Sequence, residues 1–169
     1  MRFDVREIGS IVKEVQLQQD ECPEEFVGFA LAYADAKSCC LPGECDSPKE
    51  LMETILRWAE LINNHLSCSH AIYNHLCISW RRVPVTIQGR VIGADAIDIP
   101  GRMYHYCSLF SDRVFNSATD AYSEFEEIHP FEDGNGRIGM LIYNLYHHRL
   151  NGEWNGGELG RLPPRSLQR

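Results

Sequence analysis

The chain has no apolar run long enough to cross a membrane, and residues 1–4 lack the pattern of a signal peptide. Its 24 Asp and Glu residues outnumber its 16 Lys and Arg residues, and the resulting net charge of −8 argues against nucleic acid as the main partner. No internal repeat is present. These absences predict a cytoplasmic protein, of the producing cell or of a host cell that receives it, with no membrane or nucleic-acid partner.

The seven cysteines are odd in number and include no Cys-x-x-Cys pair. Free thiols in a reducing compartment fit this pattern better than a disulfide framework. A tetrahedral zinc site could in principle draw on Cys39, Cys40, Cys45, His65, Cys68 and His70. Because Cys39 and Cys40 are adjacent and neighbours rarely share one ion, free thiols are the preferred interpretation.

A chain of 169 residues is predicted to form a single domain over 1–169. Six stretches carry apolar residues at the three- and four-residue spacing of a helix facing a core. These stretches are 8–15, 26–33, 51–62, 103–110, 118–128 and 138–145. The core of the domain is expected at about 50–150 after N-terminal helices over 1–49. The end, 156–169, is rich in Gly, Pro and Arg and is predicted to be flexible.

One segment, 83–92, has the alternation of a strand. Val85 and Ile87 alternate with polar residues, Gly89 marks a turn, and Val91 begins a return strand. An exposed hairpin edge is suited to pairing with an extended peptide. An ordinary two-stranded ribbon packed on helices is the alternative.

The most informative stretch is His-Pro-Phe-Glu-Asp-Gly-Asn-Gly-Arg at 129–137, directly before the last predicted helix. A glycine-punctuated loop that enters a helix exposes backbone N–H groups at the positive end of the helix dipole, where phosphate binds readily. Gly134 and Gly136 allow close approach of backbone to a ligand. Asn135 can donate from its amide, and Arg137 can form a planar fork on phosphate.

Three further residues of this stretch suit phosphate chemistry. Asp133, or with less support Glu132, could hold Mg²⁺, which takes one or two carboxylates and completes its shell with water and substrate phosphates. Histidine is the side chain whose ordinary pKa lies nearest neutrality, so His129 suits a general base for an incoming hydroxyl. Taken alone, each of these residues is also common in ordinary turns and helix ends. Their fixed order before a helix favours the chemical interpretation.

Residues 129–137 resemble the active-site motif of Fic-domain proteins, His-Pro-Phe-x-Asp/Glu-Gly-Asn-Gly-Arg-x-x-Arg, at every specified position but the last. The resemblance implies an all-α Fic fold, with central helices around the active-site loop and a small β-hairpin flap above it. Most such proteins transfer AMP from ATP to a hydroxyl of a target protein and release pyrophosphate. Relatives transfer other nucleotides, phosphocholine or a bare phosphate.

Carried over by position, the resemblance makes His129 the base that deprotonates a Ser, Thr or Tyr hydroxyl and Asp133 the Mg²⁺ ligand. It places the donor phosphates on an anion hole formed by 134–136 and on Arg137. Asn135 and Arg137 join His129 as catalytic residues, and Phe131 anchors the loop in the core. The flap, 83–92, would present the target protein. Arg81 or Arg82 matches an arginine before the flap; a solvated charge is expected there, with a role in positioning as the alternative.

Met140 stands where the family has its second arginine, which engages the terminal phosphate of ATP. Methionine offers neither charge nor donor, and Arg149 lies too far along the helix to replace it. Three functions stay open: an adenylyltransferase-like enzyme with an uncertain nucleotide donor, a Doc-like phosphotransferase toxin, or a catalytically weak nucleotide- or phosphate-binding module. The chain could also pair with itself or with an inhibitor. Ser10 to Glu14 partly matches the family's inhibitory helix, but without the second arginine no such clamp is expected.

Overall fold

The computed structural model describes residues 5–17, 23–41, 45–63, 80–87 and 89–155. Over these residues the chain forms six helices and one two-stranded sheet. The helices are α1 (Val5–Leu17), α2 (Pro23–Ser38), α3 (Pro48–Asn63), α4 (Ile99–Ser111), α5 (Ala118–Ile128) and α6 (Asn135–Asn151). The strands are β1 (Val85–Ile87) and β2 (Arg90–Ile92). The expected fold class, mainly helical with a small hairpin, is confirmed. No helix within the described ranges is long and apolar enough to span a membrane.

The helices begin where the sequence supplies caps. Ser47 accepts from the backbone N–H of Glu50 at 3.2 Å, and the Glu50 carboxylate accepts from the N–H of Ser47 at 3.0 Å. This capping box, followed by Pro48 at the first turn, fixes the start of α3. Ser117 caps α5 in the same way through the N–H of Asp120 at 3.1 Å.

The core lies where α6 packs against α5, α2 and α3. Five apolar side chains of α6 are fully buried: Ile138, Leu141, Ile142, Leu145 and Tyr146. Polar residues of α6 are buried with them, which the expected amphipathic helix does not include. The helix is central because neighbours cover its other face as well, so a stripe of apolar residues understates its burial.

The strands form an antiparallel hairpin at 85–92. Val85 pairs with Ile92 and Ile87 pairs with Arg90. Gly89 adopts a φ of +76° in the turn, a conformation that favours glycine. Just beyond β2, the N–H of Ala94 donates to the carbonyl of Ile128 at 3.1 Å. This bond attaches the base of the hairpin to the end of α5, where the motif begins.

The structure does not test two predictions about the organisation of the chain. The tail, 156–169, lies outside the described residues. The extent of the single domain and of its core stays a prediction.

Candidate active site

The motif starts with a histidine in an unusual backbone conformation. His129 caps the C-terminus of α5 with φ 50° and ψ 62°, and its N–H donates to the carbonyl of Phe125 at 2.9 Å. Left-handed backbone costs about 1–2 kcal/mol in a residue with a Cβ, so the surrounding contacts must hold it. The side chain is largely buried, with Nδ1 3.5 Å from Oε2 of Glu126 one turn earlier.

The loop after His129 is closed by one amide side chain. Oδ1 of Asn135 accepts from the N–H of Phe131 at 3.0 Å, and Nδ2 donates to the carbonyl of Phe131 at 2.7 Å. Asn135 therefore fixes the loop through both ends of its amide, and the expectation that the amide also donates to a phosphate stays a prediction. As expected, Phe131 is buried, and its ring centre lies 5.3 Å from that of Trp80.

The start of α6 has the backbone geometry that the predicted phosphate site requires. Gly134 has a φ of +78°, and a Cβ built there would lie 3.0 Å from Oδ1 of Asn63 and 3.1 Å from Cγ2 of Ile62. The first α-helical bond runs from the N–H of Ile138 to the carbonyl of Gly134 at 3.0 Å. The N–H groups of 135–137 thus lie in the first turn, where a helix offers unpaired donors and positive potential. Gly136, which is half-buried, adds no side chain to this turn.

Arg137 is fully buried, at 0 % exposure, in the same turn. Within the described part of the chain, Nε, Nη1 and Nη2 have no hydrogen-bond partner. The nearest opposite charge is Oδ1 of Asp133, 3.6 Å from Nη2, which is an ion pair but too long for a hydrogen bond. A buried guanidinium left this way is costly, and its fork geometry matches a phosphate or carboxylate.

Asp133 combines loop geometry with access to solvent. Its Oδ1 accepts from the N–H of Gly134 at 2.6 Å, while its side chain stays 47 % exposed. A single accessible carboxylate fits Mg²⁺, which draws its other ligands from water and phosphates. Glu132 is also exposed. The described residues contain no group of three His, Cys, Asp or Glu side chains that could hold a metal by themselves.

Arg81 corrects one expectation. It is only 3 % exposed, and it donates from Nε to the carbonyl of His129 at 2.7 Å, from Nη1 to that of Val83 at 2.8 Å, and from Nη2 to that of Ala94. Burial lowers the pKa of this guanidinium. The expected solvated charge is therefore wrong for Arg81, although Arg82 beside it is exposed. The clue in the sequence was the family's arginine before the flap.

Position 140, where the family has its second arginine, is buried in this structure. Met140 is buried, and its carbonyl accepts from Nδ2 of Asn144 at 2.9 Å. Arg149 cannot take its place, because it donates to the carbonyl of Cys45 and lies 4.9 Å from the centre of the Phe110 ring.

The remaining sequence-based alternatives are only partly within the described residues. The described cysteines, Cys39, Cys40, Cys45 and Cys107, are free thiols. The other zinc candidates lie in 64–79, outside the described ranges. The Ser10 and Glu14 side chains are not described either, so the expectation of no inhibitory clamp stays untested.

Comparison with known proteins places this geometry in context. A model of the Fic/DOC family matches residues 55–147. A Fic domain containing signaling protein from Bacteroides thetaiotaomicron is 20 % identical with a TM-score of 0.54, over 76 % of this chain and 48 % of that one. A Fic family protein from Desulfovibrio desulfuricans is 18 % identical with a TM-score of 0.44, over 90 % of this chain and 60 % of that one. No curated protein matches the chain. The chain thus spans about half to three fifths of the length of these two proteins.

Proposed function

The chain belongs to the Fic/DOC family, and from this premise we propose that it transfers a phosphate-containing group from a nucleotide donor to a protein hydroxyl. AMP from ATP is the first candidate group. The observation that carries the proposal is Arg137, a buried guanidinium without a hydrogen-bond partner among the described residues, at the start of a helix. An anion bound there would satisfy the guanidinium and the N–H groups of the first turn together.

The proposed reaction needs one proton acceptor. The target Ser, Thr or Tyr oxygen attacks the donor phosphorus and gives its proton to His129. The new O–P bond forms as the bond to the leaving group, pyrophosphate for AMP transfer, breaks and takes its electron pair with it. Nδ1 of His129 faces Glu126, which supports Nε2 as the proton acceptor. General-base catalysis of this kind contributes about 10²–10⁴-fold.

Charge neutralisation supplies the rest of the proposed catalysis. The N–H groups of 135–137 and the guanidinium of Arg137 would hold the donor phosphates, and Asn135 keeps the loop in shape around them. Asp133 would bind Mg²⁺, which on binding neutralises phosphate charge. Gly134 permits the sharp entry into α6 that brings these groups together.

The proposed partner is a target protein with an extended segment around its hydroxyl. Such a segment would add to the hairpin edge, where Val91 is exposed. Arg81 links the open end of the hairpin to the backbone of His129. A strand that pairs with the hairpin would therefore lie beside His129, the proposed proton acceptor.

Met140 favours one alternative, a module that binds a nucleotide or phosphate without turnover. Its buried thioether gives a terminal phosphate no charge to meet. Transfer from a donor without such a phosphate would also fit this position. The two alternatives differ in whether incubation leaves a covalent adduct.

A donor panel tests the proposal. The full chain is incubated with Mg²⁺ and ATP, GTP, UTP or CDP-choline, alone and with lysate proteins, and products are read by intact-mass spectrometry. We expect a nucleotidyl or phosphocholine adduct from at least one donor, lost in His129→Ala and kept in His105→Ala, an exposed histidine on α4. Met140→Arg is expected to shift the preference toward ATP. A gain of phosphate alone would indicate a phosphotransferase, and tight binding without any adduct would refute the transferase.

A further inference from the structure

A buried carboxylate lies against the imidazole of His129. Oε2 of Glu126 is 3.5 Å from Nδ1 of His129, and the two side chains are 7 % and 9 % exposed. The residues are three apart on α5 and its cap, a spacing that places side chains on one helix face. A carboxylate, which can accept a hydrogen bond from Nδ1–H, therefore lies on the α5 side of the imidazole.

The carboxylate is held from the other side by α6. A Cβ built on Gly139 would lie 3.0 Å from Oε1 of Glu126 and 2.7 Å from the ring of Tyr122. The absence of a side chain at Gly139 is thus what makes room for Glu126 between the two helices.

Each of these two side chains has one buried polar atom without a hydrogen bond to any residue that the structure describes. Oε1 of Glu126 and Nδ1 of His129 are buried without a partner among the described residues. Buried polar atoms of this kind call for an explanation, and a functional site is a common one. Hydrogen bonds of catalytic groups are often long before ligand binds and tighten in the complex, so the 3.5 Å separation is compatible with such a bond.

We propose that Glu126 is the positioning residue of the base. It accepts a hydrogen bond from Nδ1–H of His129, which leaves the lone pair of Nε2 directed toward the target hydroxyl. When Nε2 takes the proton, the carboxylate stabilises the imidazolium and itself stays unprotonated. The inference rests on the proposed function, since it requires His129 to be the base.

The other charged groups around the loop do not offer this contact. Arg81 is bound to the backbone carbonyl of His129, not to its ring. Asp133 and Arg137 face one another at 3.6 Å. Within the described ranges, Glu126 is the carboxylate that forms an ion-pair contact with an imidazole nitrogen of His129.

A packing role and a positioning role predict opposite results for Glu126→Gln, which keeps the shape and removes the charge. If Glu126 only fills space, the variant leaves kcat unchanged. If it positions the base, kcat falls by about tenfold to a thousandfold, between the losses typical of groups that orient a histidine ligand and those of a buried triad carboxylate. KM for the donor stays the same, and Tm stays level or rises because a buried carboxylate charge that faces a neutral imidazole is gone. Glu127→Gln, the half-buried neighbour, is the matched control.

The tautomer of His129 is read by ¹⁵N NMR of the histidine-labelled full chain, with His129→Ala to assign the signal. We expect the Nδ1–H tautomer in the wild type at neutral pH and its loss in Glu126→Ala. A wild type that already carries the proton on Nε2, or an Nδ1–H signal that survives in Glu126→Ala, would overturn the inference. This measurement needs no turnover. If no donor gives an adduct, the proposed function fails while the tautomer still decides the role of Glu126.

Discussion

Replacing Arg137 with methionine is expected to make the ligand-free domain more stable and to abolish its response to nucleotide. Methionine keeps a long apolar stem in the buried space and removes the charge. The guanidinium has three nitrogens without hydrogen bonds among the described residues and one ion pair at 3.6 Å with a half-exposed carboxylate. These contacts do not compensate for taking the charge out of water.

The size of the effect follows from buried ion pairs in general. Exchanging a buried ion pair for well-packed apolar groups is neutral or stabilising by up to about 4 kcal/mol. Only the arginine is replaced here, but its partner Asp133 is 47 % exposed, so water can solvate the carboxylate that remains. For a domain of this length each kcal/mol moves Tm by about 2–4 °C. A gain of about 2 kcal/mol would therefore raise the Tm of Arg137→Met by about 4–8 °C.

The response to ligand changes in the opposite direction. ATP with Mg²⁺ at about a hundred times its Kd would stabilise the wild type by about 2.7 kcal/mol. Each charge-assisted bond from the guanidinium to phosphate contributes about 1.5–3 kcal/mol, so Arg137→Met should lose most of this shift. Thermal unfolding followed by fluorescence, with and without ATP, measures both effects in one experiment.

The matched control is Arg102→Met, at an exposed arginine on α4. It should change the free energy of unfolding by less than about 0.5 kcal/mol and keep the shift of Tm by ATP. The reasoning is wrong if Arg137→Met melts well below the wild type and still responds to ATP. That outcome would mean that the guanidinium supports the fold and does not meet the donor.

Two further substitutions test how the loop is held, each by urea unfolding. Arg81→Ala removes three hydrogen bonds to backbone carbonyls, two of them buried, and should cost about 3–5 kcal/mol. Arg82→Ala, at an exposed neighbour, should stay within about 0.5 kcal/mol, and equal effects would contradict the buried position of Arg81. Gly134→Ala should cost about 2 kcal/mol or more, because its φ of +78° and its 3.0 Å approach to Asn63 both oppose a Cβ. Gly101→Ala, in open space on a helix, should be neutral or stabilising, and a similar loss at both glycines would refute the argument.

Much of the fold could be predicted because its signals are local. The apolar spacing at 51–62 marks α3, and Ser47 with Glu50 supplies the capping box that begins it. Gly89 marks the hairpin turn for a similar reason, since its positive φ is a property of one residue. The motif itself could be located because its residues are consecutive.

What the site residues contact could not be predicted, because burial depends on elements distant in sequence. Arg81 reaches the carbonyl of His129, 48 residues later. Asn135 closes the loop onto Phe131, a structural role that its place in the motif does not reveal. The proximity of Glu126 to His129 was the exception that the sequence could have revealed, because the two are one helical turn apart.

The bonds of Arg81 make the flap and the motif a single mechanical unit. One cation joins the carbonyls on both sides of the hairpin, Val83 and Ala94, to the carbonyl of His129. A peptide that binds the hairpin and displaces it would therefore also act on the hydrogen bond from Arg81 to the carbonyl of His129, whose backbone is left-handed. In an enzyme of the proposed kind, binding of the substrate peptide to the hairpin would thus influence the orientation of His129. A weakly bound peptide would leave the imidazole less well aligned.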